Sequence, residues 1–149
     1  MNIHFIKSNE KRKIVEELNE LFGIEYLPFL LIESGKEKIR AFTGSLSKEE
    51  IAKIALIANI ETLGLYLIKR EGTYRLSLDA CHLLQSQINK SIIELTEEQF
   101  QNWIRGRDLE LNMPSGIYFV KYNEDLLGCG KSNGKTLFNH VPKDRRLKK

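Results

Sequence analysis

The 149-residue chain is poor in cysteine, proline and tryptophan, with two, three and one of these residues respectively. The two cysteines, Cys81 and Cys129, lie far apart and form no CxxC or Cys/His cluster, which argues against a structural zinc site. A disulfide between them is one alternative, and two reduced, buried thiols are the state expected of an intracellular protein. The sequence therefore predicts no metal and no cofactor.

Long apolar runs are also missing. The longest are LPFLLI at 27–32 and IALIANI at 54–60, far shorter than the roughly 20 residues that a membrane span needs. The N-terminus places its charges after a short apolar stretch and has no small-residue cleavage site, so no secretory signal is predicted. With 42% hydrophobic and 29% charged residues, the chain can bury a core. We expect a soluble, cytoplasmic protein without membrane contacts.

The motifs of several enzyme classes are absent. Neither GxxxxGK[ST] nor GxGxxG occurs, and residues 128–131 (GCGK) resemble a phosphate loop only in part, because no helix is predicted after them. The histidines His4, His82 and His140 occupy different segments with no nucleophile motif beside them. The prediction is a protein that is not an enzyme, and His140 near Lys143 is the pairing of side chains in the C-terminal segment that an enzyme could use.

The positive charge is concentrated at one end of the chain. The net charge is +3 for the whole chain, whereas residues 131–149 contain seven lysines and arginines against Asp144 alone, a net charge of +6. Residues 1–130 therefore carry a net charge of about −3. A local basic surface is typical of proteins that bind a polyanion. A solvated, irregular tail is the alternative explanation.

Hydrophobic periodicity and turn signals predict an α+β N-terminal domain over residues 1–89. One helix is expected from an N-cap at Ser8 to about Phe22, and a second from the capping box Ser47-Lys-Glu-Glu50 to about residue 59. Strands are expected at 3–6, 27–33, 38–42, 63–68 and 74–78, with hairpin turns at 34–36 and 71–72. Asp79 is expected to cap a short helix to about residue 85. The hairpins favour antiparallel pairing, because parallel units need longer crossovers.

Residues 90–149 predict a second domain, a small and partly closed β-barrel around one short helix. The helix begins at the capping box Thr96-Glu-Glu-Gln99, buries Phe100, Trp103 and Ile104, and ends at Gly106. Asn133-Gly134 is a strong hairpin signal. The expected strands are 91–95, 116–122, 126–131 and 136–141.

The helix exit and the last strand supply the candidate binding residues. At the exit, Arg105 and Arg107 flank Gly106, which lets the backbone approach a phosphate or a base while the guanidiniums bond phosphate oxygens. Asn139 and His140 can hydrogen-bond base edges or sugars, although a simple turn at the strand end is the alternative. Further positive charge comes from Lys131, Lys135, Lys143, Arg145 and Arg146.

Around these residues the sequence resembles the PUA family of RNA-binding domains, in particular the PUA-like module of bacterial rRNA 5-methylcytosine methyltransferases. The shared pattern covers about residues 91–149. It consists of Arg105-Gly106, Gly116 at a strand start, Leu127-Gly128-x-Gly130-Lys131, and Leu137-x-Asn139-His140-x-Pro142-Lys143 followed by Arg146. Cys129 departs from the pattern, which more often has a larger residue there. A strand-rich domain before a PUA domain also resembles the Nip-seven family of ribosome-biogenesis factors, chiefly over residues 63–80.

The resemblance implies RNA binding without catalysis, along the first helix, the loop after it and the last strand. The methyltransferases carry a large cofactor-binding domain before this module, and nothing of that kind fits into residues 1–90. We therefore expect a non-catalytic protein that acts in rRNA or tRNA maturation, RNA modification or ribosome assembly. The alternative is an accessory subunit that recruits or stimulates a separate RNA methyltransferase or assembly factor. Its docking edge would be residues 27–32, which could instead be a buried core strand.

Overall fold

The computed structural model describes residues 4–35, 37–42, 47–56 and 64–147. The chain forms two compact units, Met1–Arg75 and Leu76–Lys149. Each unit combines helices with a mainly antiparallel sheet, which confirms the α+β fold class. None of the helices within the described ranges combines the length and the apolar composition that a bilayer crossing requires.

The first unit is built on a five-stranded sheet with the strand order β1-β2-β3-β4-β5. Helix α1 (Ser8–Phe22) buries Ile14, Leu18 and Phe22 on one face and ends at Gly23, whose φ is 87°. Helix α2 (Lys48–Ala55) begins at the predicted capping box, and the predicted continuation to residue 59 extends beyond the described residues. The strands are β1 (His4–Phe5), β2 (Leu30–Ser34), β3 (Lys38–Phe42), β4 (Leu65–Glu71) and β5 (Thr73–Leu76).

The apolar run at 27–32 is a buried core segment and not a docking edge. Strand β2 lies between β1 and β3, so both of its backbone edges are already hydrogen-bonded. Leu27, Leu31 and Ile32 are buried, and Ile51 of α2 packs in the same cluster as Ile32. The surface proposed for an accessory subunit is therefore absent from this run.

Two predicted helix caps are wrong. Ser8 is the first residue of α1, and the N-cap position belongs to Lys7, whose side chain makes no capping bond. The short helix α3 (Leu78–Leu84) is capped by Ser77 and not by Asp79, because the Ser77 hydroxyl accepts a 3.0 Å hydrogen bond from the Ala80 N–H. For α3 the sequence offered two capping residues, Ser77 and Asp79, two positions apart, and the pattern alone does not distinguish them.

The second unit is a curled five-stranded half-barrel with the strand order β6-β8-β9-β10-β7, consistent with a PUA-like domain. Helix α4 (Glu97–Ile104) begins at the predicted capping box of Thr96 and Gln99. Gly106 ends it, as predicted. The strands are β6 (Ile92–Glu94), β7 (Leu109–Glu110), β8 (Gly116–Tyr122), β9 (Asp125–Ser132) and β10 (Thr136–Asn139).

One strand pair of this unit is parallel, a pairing that the sequence did not predict. Strands β6 and β8 pair in parallel, with Ile92 opposite Phe119. The chain between them contains α4 and β7, so the crossover is long enough for parallel pairing. Strand β7 was not predicted, because two residues are too few to show any periodicity.

Trp103 is the centre of the core of this unit. Its side chain is fully buried, and its indole N–H donates a 2.9 Å hydrogen bond to the Leu127 carbonyl. A side chain at Gly130 would collide with the Phe138 carbonyl and would lie 2.9 Å from the Trp103 ring. The backbone of β10 therefore approaches Gly130 closely enough to require a residue without a side chain.

Helix α3 packs on β9 and belongs to the second compact unit. The predicted domain boundary at 89/90 placed this helix in the first domain. That boundary stays a prediction. The helix carries Cys81, and β9 carries Cys129; both are buried, and neither is part of a disulfide. The Cys129 thiol donates a hydrogen bond of 3.2 Å to the Leu76 carbonyl.

Candidate nucleic-acid interface

Helix α4 ends in a Schellman motif at Gly106. The Gly106 N–H donates to the Trp103 carbonyl at 2.9 Å, and the Arg107 N–H donates to the Asn102 carbonyl at 3.1 Å. The motif needs a left-handed residue, and glycine adopts its φ of 85° without steric cost. Arg105 and Arg107 consequently stand on either side of a sharp, well-defined turn.

The end of β10 and the chain after it lie beside this turn. The Asn139 amide donates to the carbonyls of Trp103 at 2.8 Å and Arg107 at 3.1 Å. Further along, the Leu147 N–H donates to the Ile104 carbonyl at 2.6 Å. The expected adjacency of the helix exit and the last strand is therefore present in the structure.

These contacts complete the hydrogen bonding of the helix end. The last four carbonyls of a helix have no partner within it. In α4, the Gln101 carbonyl accepts a 2.7 Å bond from the Arg105 guanidinium, and the carbonyls of 102, 103 and 104 accept the bonds described above. The turn that carries the arginines is thus held by the surrounding structure.

Arg146 crosses directly over Gly106. A side-chain carbon at position 106 would overlap the Arg146 side chain, so the glycine leaves the space that the arginine occupies. The Arg146 Nε donates a 3.0 Å bond to the Val141 carbonyl. Within the part of the chain that the structure describes, its two terminal nitrogens make no hydrogen bond. Gly106 therefore makes room for an arginine, whereas the sequence predicted room for a ligand.

The other two arginines at the turn are held by neutral groups. The Arg105 guanidinium bonds the Gln101 side-chain oxygen at 2.8 Å, and the Arg107 guanidinium bonds the Asn102 side-chain oxygen at 2.7 Å. Neither bond compensates the positive charge. The carbonyl end of a helix stabilises nearby cations, which lowers the cost of gathering them there. We call Arg105, Arg107 and Arg146 the arginine cluster.

The neighbouring 3-10 turn, Lys143–Arg145, adds two cations of different character. The Arg145 guanidinium lies 3.2 Å from the Asp79 carboxylate, so its charge is compensated. Lys143 is exposed and has no ion pair with any residue of the described ranges. Lys143 is therefore the cation of this turn that is best placed to contact a phosphate.

Asn139 has a structural role. Its side chain is 8% exposed, and its oxygen accepts a 2.8 Å bond from the Val141 N–H in addition to the two bonds that its amide donates. Its backbone N–H donates to the Asp108 carboxylate at 2.8 Å. The side chain predicted to bond a base or sugar is thus already committed to the protein backbone. His140, which follows it, is half-buried.

Lys131 and Lys135 do not join the arginine cluster. Lys131 follows Gly130, which faces Trp103, so alternation along β9 directs the lysine to the opposite face of the sheet, where it pairs with Phe138. Lys135 lies in the turn before β10, at the far end of that strand from Asn139. Both are exposed.

The sequence reasoning missed the two carboxylates that organise this region. Asp108 holds the end of β10, and Asp79 holds Arg145. Asp108 could have been found, because an acidic residue directly after Arg-Gly-Arg is a visible signal. The pairing of Asp79 with Arg145 could not, because the two residues lie far apart in sequence. No group of three or more His, Cys, Asp and Glu side chains in the described residues could hold a metal ion.

The second unit thus combines a curled half-barrel with one short helix and a cationic helix exit. Residues 90–147 match the family model described as the methyltransferase RsmF PUA domain. This segment of the chain is therefore a PUA-like module that resembles the PUA domains of rRNA methyltransferases, and it includes the whole arginine cluster. The match supports RNA as the partner. No curated protein matches the chain, and the Nip-seven layout stays a prediction.

Proposed function

We propose that the protein is a non-catalytic RNA-binding protein that acts in the maturation or modification of rRNA or tRNA, or in ribosome assembly. The observation that carries the proposal is the arginine cluster: Arg105 and Arg107 flank Gly106, and the side chain of Arg146, from a distant segment, lies over the same glycine. The PUA-like match over the same residues supports RNA as the ligand.

The geometry favours contacts with the sugar-phosphate backbone. Guanidinium groups bond phosphate oxygens in pairs, and those held by neutral partners keep their full charge for that purpose. Lys143, exposed in the 3-10 turn that precedes Arg146, adds a fourth cation. Contacts of this kind supply affinity and orientation, whereas base contacts supply sequence preference.

The test is to replace Arg105, Arg107, Lys143 and Arg146 together by alanine and to titrate the protein into fluorescently labelled single-stranded RNA at several salt concentrations. For the unchanged protein, four phosphate contacts predict a slope of log K against log salt of about −3. The variant should lose most of its affinity and most of this slope. Its thermal unfolding should change little. Arg105 bonds only Gln101 within its own helix, Arg107 bonds the Asn102 side chain, and Lys143 makes no ion pair in the described residues.

The matched control replaces four exposed cations of the first unit, Arg12, Lys13, Lys48 and Lys53, and removes the same charge. We expect this control to retain the affinity to within about twofold, since none of its four cations belongs to the compact unit that carries the arginine cluster. Equal losses in both variants would show that net charge, and not this surface, binds RNA. Crosslinking in the protein's own cells followed by sequencing of the attached RNA would then test the rRNA or tRNA assignment.

A further inference from the structure

An apolar pocket of about 120 Å³ opens beside the helix exit. Its walls include Leu78, Ile104, Leu127 and Val141, and Trp103, the only tryptophan of the chain, also lines it. Val141 links the pocket to the arginine cluster, because its carbonyl accepts the bond from the Arg146 Nε. A strand of RNA held by the cluster would therefore pass close to the pocket.

The polar groups at the pocket suit an uncharged ligand. Arg145 lines it, but the Asp79 carboxylate compensates the charge of this arginine at 3.2 Å. His82 also lines it, and its Nε2 lies 3.2 Å from the Leu126 carbonyl. A carbonyl oxygen can only accept, so Nε2 carries the proton, and Nδ1 of the neutral ring is a hydrogen-bond acceptor. The pocket thus combines apolar walls with a guanidinium and an imidazole.

We propose that this pocket binds one unstacked pyrimidine base of the RNA whose phosphates contact the arginine cluster. The inference rests on the proposed RNA binding and adds to it a base-specific subsite. A protein cavity of about 150 Å³ accommodates a benzene ring. The volume here fits a single six-membered ring that extends partly into solvent, and it is small for the fused rings of a purine. The guanidinium and the imidazole match the acceptors and the donor on the pairing edge of a pyrimidine.

The pocket is not a feature of the matched PUA segment alone. Leu78 and His82 belong to α3, which precedes the matched residues 90–147, yet α3 lies in the second compact unit and packs on β9. Two of the lining residues are therefore supplied by a helix that lies outside the matched segment.

The experiment compares the binding of short oligouridine and oligoadenosine, measured by fluorescence anisotropy, for the unchanged protein and two variants. Ile104→Trp places an indole in the pocket from a half-buried helix position. Leu83→Trp adds the same group at an exposed position of α3 that does not line the pocket, and it serves as the control. We expect the unchanged protein and the control to prefer uridine by about tenfold, in line with the contribution of one base contact. Ile104→Trp should abolish the preference and keep the salt-dependent binding of oligoadenosine.

A second measurement does not depend on the folding of a variant. The fluorescence of Trp103 should be quenched more strongly by oligo-5-bromouridine than by unmodified oligouridine at equal occupancy. The reason is that bromine quenches an indole only at short range. Equal quenching by both oligomers would overturn the proposal. So would an unchanged uridine preference in a folded Ile104→Trp variant, or equal affinity of the unchanged protein for both homopolymers.

Failure of the subsite and failure of RNA binding give different results. If both homopolymers bind equally and the four-alanine variant loses that binding, the pocket proposal falls and the proposed function stands. If neither homopolymer nor cellular RNA binds, both proposals fall.

Discussion

The side-chain amide of Asn139 donates a hydrogen bond of 2.8 Å to the carbonyl of Trp103, although the two residues are 36 positions apart. This bond joins the end of β10 to the last turn of α4. Because the helix exit carries Arg105 and Arg107, and the chain after β10 carries Arg146, the same bond brings the arginine cluster together. An asparagine that the sequence presents as a candidate base reader is in fact what positions the cations.

Asn139→Ala should lower the free energy of unfolding by about 2–3 kcal/mol, because the Arg107 carbonyl and the Val141 N–H lose their buried partners. Urea denaturation followed by circular dichroism would measure the loss. Asn112→Ala is the control, since Asn112 is exposed and its replacement should change stability by no more than about 0.5 kcal/mol. Similar values for the two variants would refute the structural role of Asn139.

Gly106→Ala should weaken RNA binding as strongly as loss of Arg146 itself. The new methyl group would occupy the space of the Arg146 side chain, in addition to the strain of a left-handed φ of 85°. Gly72→Ala separates the two effects, because Gly72 has a φ of 75° but open space around it. Both variants should lose about 1–2 kcal/mol of stability from backbone strain. Only Gly106→Ala should also lose RNA affinity, and retention of full affinity would contradict the proposed contact.

The cations predicted from the sequence should fall into two groups. Arg146→Ala should reduce the slope of log K against log salt by about 0.7, the value for one phosphate contact on single-stranded nucleic acid. Lys135→Ala should leave the slope unchanged, because Lys135 lies at the far end of β10 from the cluster. Salt titrations of both variants on one labelled RNA would decide this. An equal reduction of the slope by both replacements would show that the binding surface extends along the whole of β10.

The thiols of Cys81 and Cys129 should resist alkylation in the folded protein. A hydrogen bond with the Cys129 thiol, together with burial, raises the pKa of the Cys81 thiol well above its ordinary value. Since the thiolate is the reactive form, native protein should react slowly with iodoacetamide and urea-unfolded protein rapidly, as mass spectrometry would show. The folded state holds this proton more tightly, so stability should fall as the pH rises above the pKa of the unfolded thiol. Rapid alkylation of native protein would contradict this prediction.

Local signals predicted a large part of the fold. The capping boxes at Ser47 and Thr96, the helix ends at Gly23 and Gly106, and strand β8 appear where the sequence placed them. Each depends on residues within a few positions of one another, so a linear pattern contains the necessary information. The parallel pairing of β6 with β8 depends on contacts across a long crossover, and no local pattern shows it.

The amino-acid sequence is enough to show that positive charge gathers towards the C-terminal end and that a glycine lies between two arginines at a helix exit. Which of those cations lie close together depends on the packing of distant segments. That packing brought Arg146 over Gly106, separated Lys131 and Lys135 from the cluster, and committed Asn139 to the backbone. The physical reason is that charge and turn propensity are properties of single residues and their neighbours. Proximity between distant segments depends instead on how the core around Trp103 packs and on which buried carbonyls require a donor.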